Sequence, residues 1–523
     1  MLDKIPKPLS FSGVLPPVYF NMAQYCLEPA YDRHPNKVAL VVVSNIDHEE
    51  DGAETWTYGE LLHAVRRVAF GLKSLGLEHG DRVMIRMGNT SDYALTFFGA
   101  IAGGFVPLPS SSQLAKEEAD FLLADSGARV LALAEDMDMG DVPEGVQVIR
   151  PSTIKGFVEG DGEIDFVATK ADDPAFLVYT SGTTGNPKGV LHGHRSAWGR
   201  RPIYEGWYGI QEDDVMLHAG AFNWTYTLGA GLTDPWANGA TTVLYNGSRD
   251  IEVWPRLIET YHASLFATVP TLYRQILKYC DLDQYELSTL KHGLTAGEPL
   301  PISLLVDWRA VVGTPLYEAL GMSEISTYVS SSPSVPVREG SPGKPQKGRV
   351  IAALPVEGGD QPLPANEIGL LAVHRSDPGL MLGYWNRPEE EAEVFRGEWF
   401  IGGDLCRIDA EGYLWYEGRN NDLMNAMGYR VSPMEVERVL SAHELVGEVA
   451  VAELQVRDDV SVIAAYVVTA QGHKPDKDSL LAYASEHLAS YKCPREILFL
   501  DALPRTGNGK VIRRELHRMA GSR

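Results

Sequence analysis

A chain of 523 residues is too long for a single core and is expected to divide into two or three domains, and its 44% apolar content is that of an ordinary globular protein. The formal net charge of -24 excludes a general nucleic-acid binder, which needs a basic surface, but leaves room for a local basic site that holds an anionic nucleotide. Cys26, Cys280, Cys406 and Cys493 stand far apart with no CxxC pair, so they read as reduced thiols rather than disulfides or zinc ligands.

Prolines interrupt residues 1–20 where a signal peptide needs a continuous apolar run, and the apolar region 94–109 is broken by Gly99, Gly103 and Gly104. A cytoplasmic protein without a membrane span is expected. Residues 21–27 read as a helix and 37–44 (KVALVVVS) as a buried strand. His48 sits in an acidic turn and is expected to be solvated. Thr57 and Glu60 form a capping box that starts an amphipathic helix over 58–75. Strand 82–87, helix 91–102 and strand 128–134 follow, and the alternation predicts layered α/β architecture with largely parallel sheets. Further on, the reading is helix 190–205, strand 215–219, helix 229–236, strand 240–245, helix 251–261, strand 265–268, helix 270–279 and strand 290–297. His192 and His194, two apart on the expected helix, would point away from each other and make a poor metal pair. From about residue 340 short alternating strands with Gly and Pro turns predict a β-rich subdomain up to 417. After a polar break at 418–422, residues 423–523 read as a small α/β unit with strands 448–452, 460–468 and 497–500 and helices 477–488 and 511–519.

The most informative stretch is 179–189, YTSGTTGNPKG, which follows the apolar run 175–179. Gly182, Gly185 and Gly189 free backbone N–H groups to turn toward anionic oxygens; Thr180, Ser181, Thr183 and Thr184 add hydroxyls, and Lys188 a point charge. A Walker A loop would need Gly-Lys-Ser/Thr at its end, whereas here Pro187 precedes the lysine and Gly189 follows it.

The string resembles the phosphate-binding signature of the adenylate-forming superfamily, which includes acyl-CoA synthetases, luciferases and peptide-synthetase adenylation domains. Further matches follow in order along almost the whole chain. They are the turn Gly297, Glu298, Pro299; the run EALGMSE at 318–324; Gly403 and Asp404 within WFIGGDLCRIDAEGYLWYEGR; Arg419 with Asn420, Asn421 and Asp422; Gly428, Tyr429 and Arg430 with Glu435 and Glu437; and PRTGNGK ending at Lys510. The resemblance implies an N-terminal adenylation domain over 1–417, a hinge at 418–422 and a mobile C-terminal domain over 423–523. It also implies an AMP-forming acyl-CoA synthetase that uses ATP, Mg2+ and coenzyme A.

Carried over residue by residue, Thr180, Ser181, Gly182, Thr183, Thr184, Gly185 and Lys188 would hold the β- and γ-phosphates. Gly297, Glu298, Pro299, Glu318, Ala319, Leu320 and Ser323 would form the adenine side, and Glu324 would bind Mg2+. Asp404 would take the ribose hydroxyls with Arg419 nearby. Lys510 would neutralise the charge that crowds between the carboxylate and the α-phosphate. Gly428, Tyr429 and Arg430 would lie along the thiol tunnel in a second half-reaction reached by hinge rotation. The acyl pocket would be lined by Phe222, Asn223, Trp224, Tyr226, Thr295, Ala296 and Ile325. Leu320 where a tyrosine is common, and the aromatic run before Leu228 and Gly229, resemble benzoate-type CoA ligases. The expected substrate is then a small to medium monocarboxylic acid, aromatic or alicyclic. The hinge departs from the pattern, with Asn421 where Asp or Lys is usual. The competing readings are a medium-chain or methylthioalkanoate-type acyl-CoA ligase, a stand-alone adenylation enzyme loading a carrier protein, and a non-catalytic relative. No nucleic-acid or membrane partner is expected; assembly is not readable from the residues, and a homodimer is a guess.

Overall fold

The computed structural model describes residues 10–47, 52–139, 142–180, 187–248, 250–420, 424–426, 429–457, 460–470, 472–474, 476–505, 511–513 and 515–516; for 425–426, 429–430, 455–457 and 460–461 only the backbone is described. His48 lies outside them. The chain forms two compact units, one of residues 1–351 with 373–400 and the other of 352–372 with 401–523.

In the first unit a nine-stranded sheet runs in the order Lys344–Pro345, Ser326–Ser330, Leu316–Met322, His292–Ala296, Leu265–Thr268, Val215–His218, Thr241–Tyr245, Val38–Val43, Ala53–Thr57. The six strands from Leu316–Met322 to Val38–Val43 are parallel, and the pairs at either end are antiparallel. A second, all-parallel sheet orders Val106–Pro109, Arg82–Arg86, Val130–Leu133, Gln147–Ile149. Alternation along the strands explains the layering. Leu40 and Val42 pack with Val83 and Ile85 of the second sheet and with helices Met22–Arg33, Tyr58–Ser74 and Ser91–Ala102. Val41 and Val43 face the opposite way, onto helices Val253–Thr260, Pro270–Tyr279 and Ile302–Val312. Met84 and Leu131 likewise turn to a third core with helix Lys116–Ser126. The expected layered α/β fold is therefore present. The expected capping box is present too: Thr57 Oγ1 accepts the Glu60 N–H at 3.2 Å, and Glu60 Oε2 accepts the Thr57 N–H at 2.8 Å.

The segment after the glycine-rich stretch corrects an expectation. Instead of a helix over 190–205, strand Lys188–Gly193 turns back antiparallel on strand Pro174–Thr180, with Val178 opposite Val190 and Thr180 opposite Lys188. Val190 is buried in this three-stranded sheet, whose third member is Gly383–Tyr384; a β-branched residue with paired neighbours on both sides favours strand over helix. Helix then appears only in short pieces, Arg195–Gly199 and Arg201–Ile203, with a π-turn at Tyr204–Tyr208. His192 and His194 are both buried, and burial lowers each to about 4, so they are neutral packing groups. The helix expected at 229–236 is a π-turn, Gly229–Thr233, running into Asp234–Ala237. A Cβ at Gly229 would fall on the Arg200 guanidinium, so the backbone bulges around that side chain.

From residue 401 on, the second unit holds strand Trp399–Ile408 paired antiparallel with Leu414–Arg419, and a three-stranded sheet of Val446–Arg457, Val460–Thr469 and Glu496–Phe499. Helices Pro433–Ser441 and Lys477–His487 contribute Val436, Leu440 and Leu480 to the core on one face of that sheet, while Tyr466, Leu503 and Leu516 fill the other. Among the described residues no helix is long and apolar enough to cross a membrane.

Candidate active site

The carboxyl ends of parallel strands in such a sheet leave a crevice in which ligands are bound. Two adjacent strands, His292–Ala296 and Leu316–Met322, deliver sequence-marked residues there. In register, Thr295 lies between Thr268 and Glu318, and Ala296 beside Ala319. The chain leaves strand His292–Ala296 through Gly297 at φ +92°, a conformation open mainly to glycine. In the next residue Glu298 Oε2 accepts the Thr271 hydroxyl at 3.2 Å.

Glu318 is half-buried, and desolvation pushes its carboxyl up to about 8, against the pull of a 3.1 Å bond from the Leu300 N–H. It is therefore mostly protonated at neutral pH and able to donate. Its folded pKa lies above the unfolded one near 4.5, so stability is fully retained below about pH 4.5 and lost as the pH rises through about 8. Glu318→Gln removes that dependence. In denaturant titrations the variant should gain on the wild type between pH 5 and pH 9, by on the order of 4 kcal/mol at the upper end.

Thr180 and Lys188 face each other across the mouth of the hairpin, while Ser181, Gly182, Thr183, Thr184 and Gly185 lie outside the described residues. The Lys188 ammonium is ion-paired with Glu390 and stands 5.5 Å from the centre of the Tyr384 ring. The Tyr384 hydroxyl donates to Glu324 Oε1 at 2.8 Å. One tyrosine, absent from the sequence reading, thus joins two residues that were marked independently. The signal was available in GYW at 383–385, but a short aromatic turn of this kind is common in any fold.

The turn carrying Glu324 is pinned on several sides. Its carbonyl accepts the Met381 N–H at 2.7 Å, and the Ser323 carbonyl accepts His192 Nε2–H at 2.8 Å. Arg200 donates to the Ser326 hydroxyl, and Ser326 sits at φ +71°, a strained value for a residue with a side chain. Arg200 is itself held by Asp234 through Nε–Oδ1 at 2.7 Å and Nη2–Oδ2 at 2.5 Å.

Of the residues expected around the acyl group, Tyr226 and Ala296 pack together with Trp207, Ala267, Leu294 and Ala319. Phe222 lies against Tyr93, ring centres 5.2 Å apart. The Trp224 ring passes 3.9 Å from where a Gly297 Cβ would be, which brings the aromatic run, Asn223 included, to the turn after strand His292–Ala296. Thr295 alternates to the opposite face of its strand from Leu294 and Ala296. Leu320 is half-buried, opposite Val329. Ile325 lines a small internal cavity with Phe176, His192 and Arg200.

In the second unit Asp404 and Arg419 oppose each other across the antiparallel pair, with Arg419 Nε 2.9 Å from Asp404 Oδ1 and the Tyr416 hydroxyl donating to that oxygen at 3.1 Å. Asp404 is 5% exposed and follows Gly403 at φ +81°. Tyr429 and Arg430 fall on strand Tyr429–Val431, of which only the backbone of these two is described. Asn421, Asp422, Gly428 and Lys510 lie outside the described residues. Among the described residues no cluster of three or more His, Cys, Asp or Glu is placed to cage a metal ion.

The first unit thus brings together the hairpin ends Thr180 and Lys188 and the carboxylate of Glu324, and the second holds the buried Asp404 beside Arg419. The chain belongs to the AMP-binding enzyme family, whose model matches residues 27–385; the AMP-binding enzyme C-terminal domain matches 435–510. Its class is AMP-forming carboxylic acid–CoA ligase, which uses ATP and CoA. It is 34% identical to the benzoate–CoA ligase of Thauera aromatica, covering 89% of this chain and 91% of that one. Identity to an uncharacterised acyl–CoA ligase of Bacillus subtilis is 30%, over 90% of this chain and 92% of that protein. The crystal structure of an anthranilate CoA ligase in complex with anthranoyl-AMP superposes with a TM-score of 0.86 at 27% identity, covering 97% of this chain and 98% of the other.

Proposed function

We propose that this ligase activates a small to medium monocarboxylic acid, aromatic or alicyclic, as its acyl-adenylate and transfers it to CoA. The observation that carries the reading is the apolar, aromatic packing of Tyr226 with Ala296 and Ala319 at the sheet's carboxyl end. Small alanines on the strands leave width for a ring, and the aromatic side chain opposite offers it a flat partner. Among the described residues, the buried cation Arg200 is already neutralised by Asp234, so it offers little to a second substrate carboxylate. The benzoate and anthranilate specificities named for the relatives point the same way.

The chain's own groups divide the work as follows. Lys188 exchanges the Glu390 carboxylate for phosphate oxygens, a swap of one anion for another that needs no new desolvation of the ammonium. Glu324, oriented by Tyr384, offers a single fixed carboxylate. That suits Mg2+, which keeps water and phosphate ligands and rarely takes an all-protein cage; when bound, it neutralises charge on the phosphates. Asp404 accepts the two ribose hydroxyls with Arg419 bracing the carboxylate. Lys510 supplies the charge at the reacting phosphate.

The test is product mass spectrometry with ATP, Mg2+, CoA and acids from acetate to hexadecanoate, with benzoates and cyclohexanecarboxylate among them. Benzoyl- or cyclohexanecarbonyl-CoA should dominate, by about 100-fold in kcat/KM over hexadecanoate. Equal turnover of benzoate and hexadecanoate would sink the substrate reading, and acyl-AMP without thioester would move it to carrier loading.

A further inference from the structure

One polar group beside the acyl site has no part in the scheme above. His218 ends strand Val215–His218 and is 1% exposed. Its Nδ1 accepts the Gly220 N–H at 3.1 Å, which places the ring proton on Nε2, and Nε2 has no hydrogen-bond partner among the described residues. The ring stacks on Phe222 with centres 6.2 Å apart and meets Tyr226 edge-on at 5.8 Å. Glycines flank the ring closely: a Cβ at Gly220 would lie 2.7 Å from the imidazole, and one at Gly231 would lie 2.7 Å from the Phe222 ring and 3.3 Å from the imidazole. By strand alternation His218 shares the sheet face of Met216, which packs in the same cluster as Tyr226 and Ala296. The fold therefore maintains a dry N–H donor within an otherwise apolar wall.

A core has no reason to keep such a donor, because an unmatched buried N–H opposes folding and an apolar residue of that volume would not. A ligand that brings an acceptor changes the sign. We infer that His218 Nε2–H is a specificity-determining donor of the acyl site, and that the preferred acid carries a hydrogen-bond acceptor, a hydroxyl, ether or carbonyl oxygen, remote from its carboxyl group. The inference rests on the reading that residues 222–226 border the acyl group. Burial also holds this imidazole down to about 3, so it stays neutral and a poor base at any working pH. Its role is recognition rather than proton transfer.

The experiment compares kcat/KM for CoA-thioester formation on matched acids: 3- and 4-methylbenzoate against 3- and 4-hydroxy- and methoxybenzoate, and 4-methyl- against 4-oxocyclohexanecarboxylate. At one ring position or more the wild type should favour the acceptor-bearing member by about 10- to 100-fold. His218→Leu should erase the preference, lowering the acceptor-bearing acid far more than its methyl partner, and His218→Asn, which restores a donor, should recover part of it. Equal rates within every wild-type pair, or a His218→Leu loss shared equally by both members, overturns the inference while leaving the aromatic-acid reading standing. Failure to turn over any ring-bearing acid, with straight-chain acids accepted, overturns both. Should the Leu variant melt early, the wild-type pairs and His218→Asn decide the question on their own.

Discussion

Lys510→Ala is expected to lower acyl-adenylate formation by about 100- to 1,000-fold or more while leaving thioester formation from a supplied acyl-adenylate within about 10-fold of wild type. The attacking carboxylate and the α-phosphate are both anionic, and the transition state concentrates their charge. In the proposed role the Lys510 ammonium would act on that charge, and preorganised charge of this kind has a large effect on a rate. The second half-reaction expels AMP from a carbonyl and makes no such demand. Pyrophosphate exchange and single-turnover thioester formation measured side by side separate the two. Loss of both would point to a folding defect or to a different lysine.

The second large effect is on stability. Asp234→Ala should cost about 3–5 kcal/mol in the unfolding of the first unit, measured by denaturant titration. The Arg200 and Asp234 side chains are 8% and 0% exposed, and the Tyr208 hydroxyl also donates to Asp234 Oδ2 at 2.8 Å. Removing the carboxylate strands a guanidinium in the core, and the penalty is the desolvated charge rather than the lost attraction. The damage should reach the site as well. Arg200 holds the hydroxyl of Ser326 two residues beyond Glu324, in a backbone conformation that a serine does not keep unaided. At temperatures where the variant remains folded, the KM for ATP should therefore rise by a larger factor than the KM for the acid. A change confined to melting temperature would assign the pair to packing alone.

Much of this fold is legible in the residues because its signals are local. The capping box at Thr57 and Glu60, the apolar runs that became Val38–Val43 and Leu265–Thr268, and the amphipathic stretch that became Pro270–Tyr279 each report a choice made within a few turns of chain. The stretch after Lys188 is not the helix its local pattern predicts, because what decides it is pairing with residues 174–180 and 383–384, and such partners leave no trace in local periodicity. The bulged helix at Gly229 has the same origin, since its cause is the side chain of Arg200.

The class of reaction is legible in the residues alone. An ordered set of glycines, hydroxyls, carboxylates and lysines can be recognised one short motif at a time, because each motif's residue types follow from the group it must hold. How those groups are restrained follows from the folded chain: Glu390 on Lys188, Tyr384 on Glu324, Arg200 on Ser326, and beside them the unmatched N–H of His218. The three contacts join residues far apart in the chain, formed because a polar group in a low-dielectric interior is costly to leave without a partner.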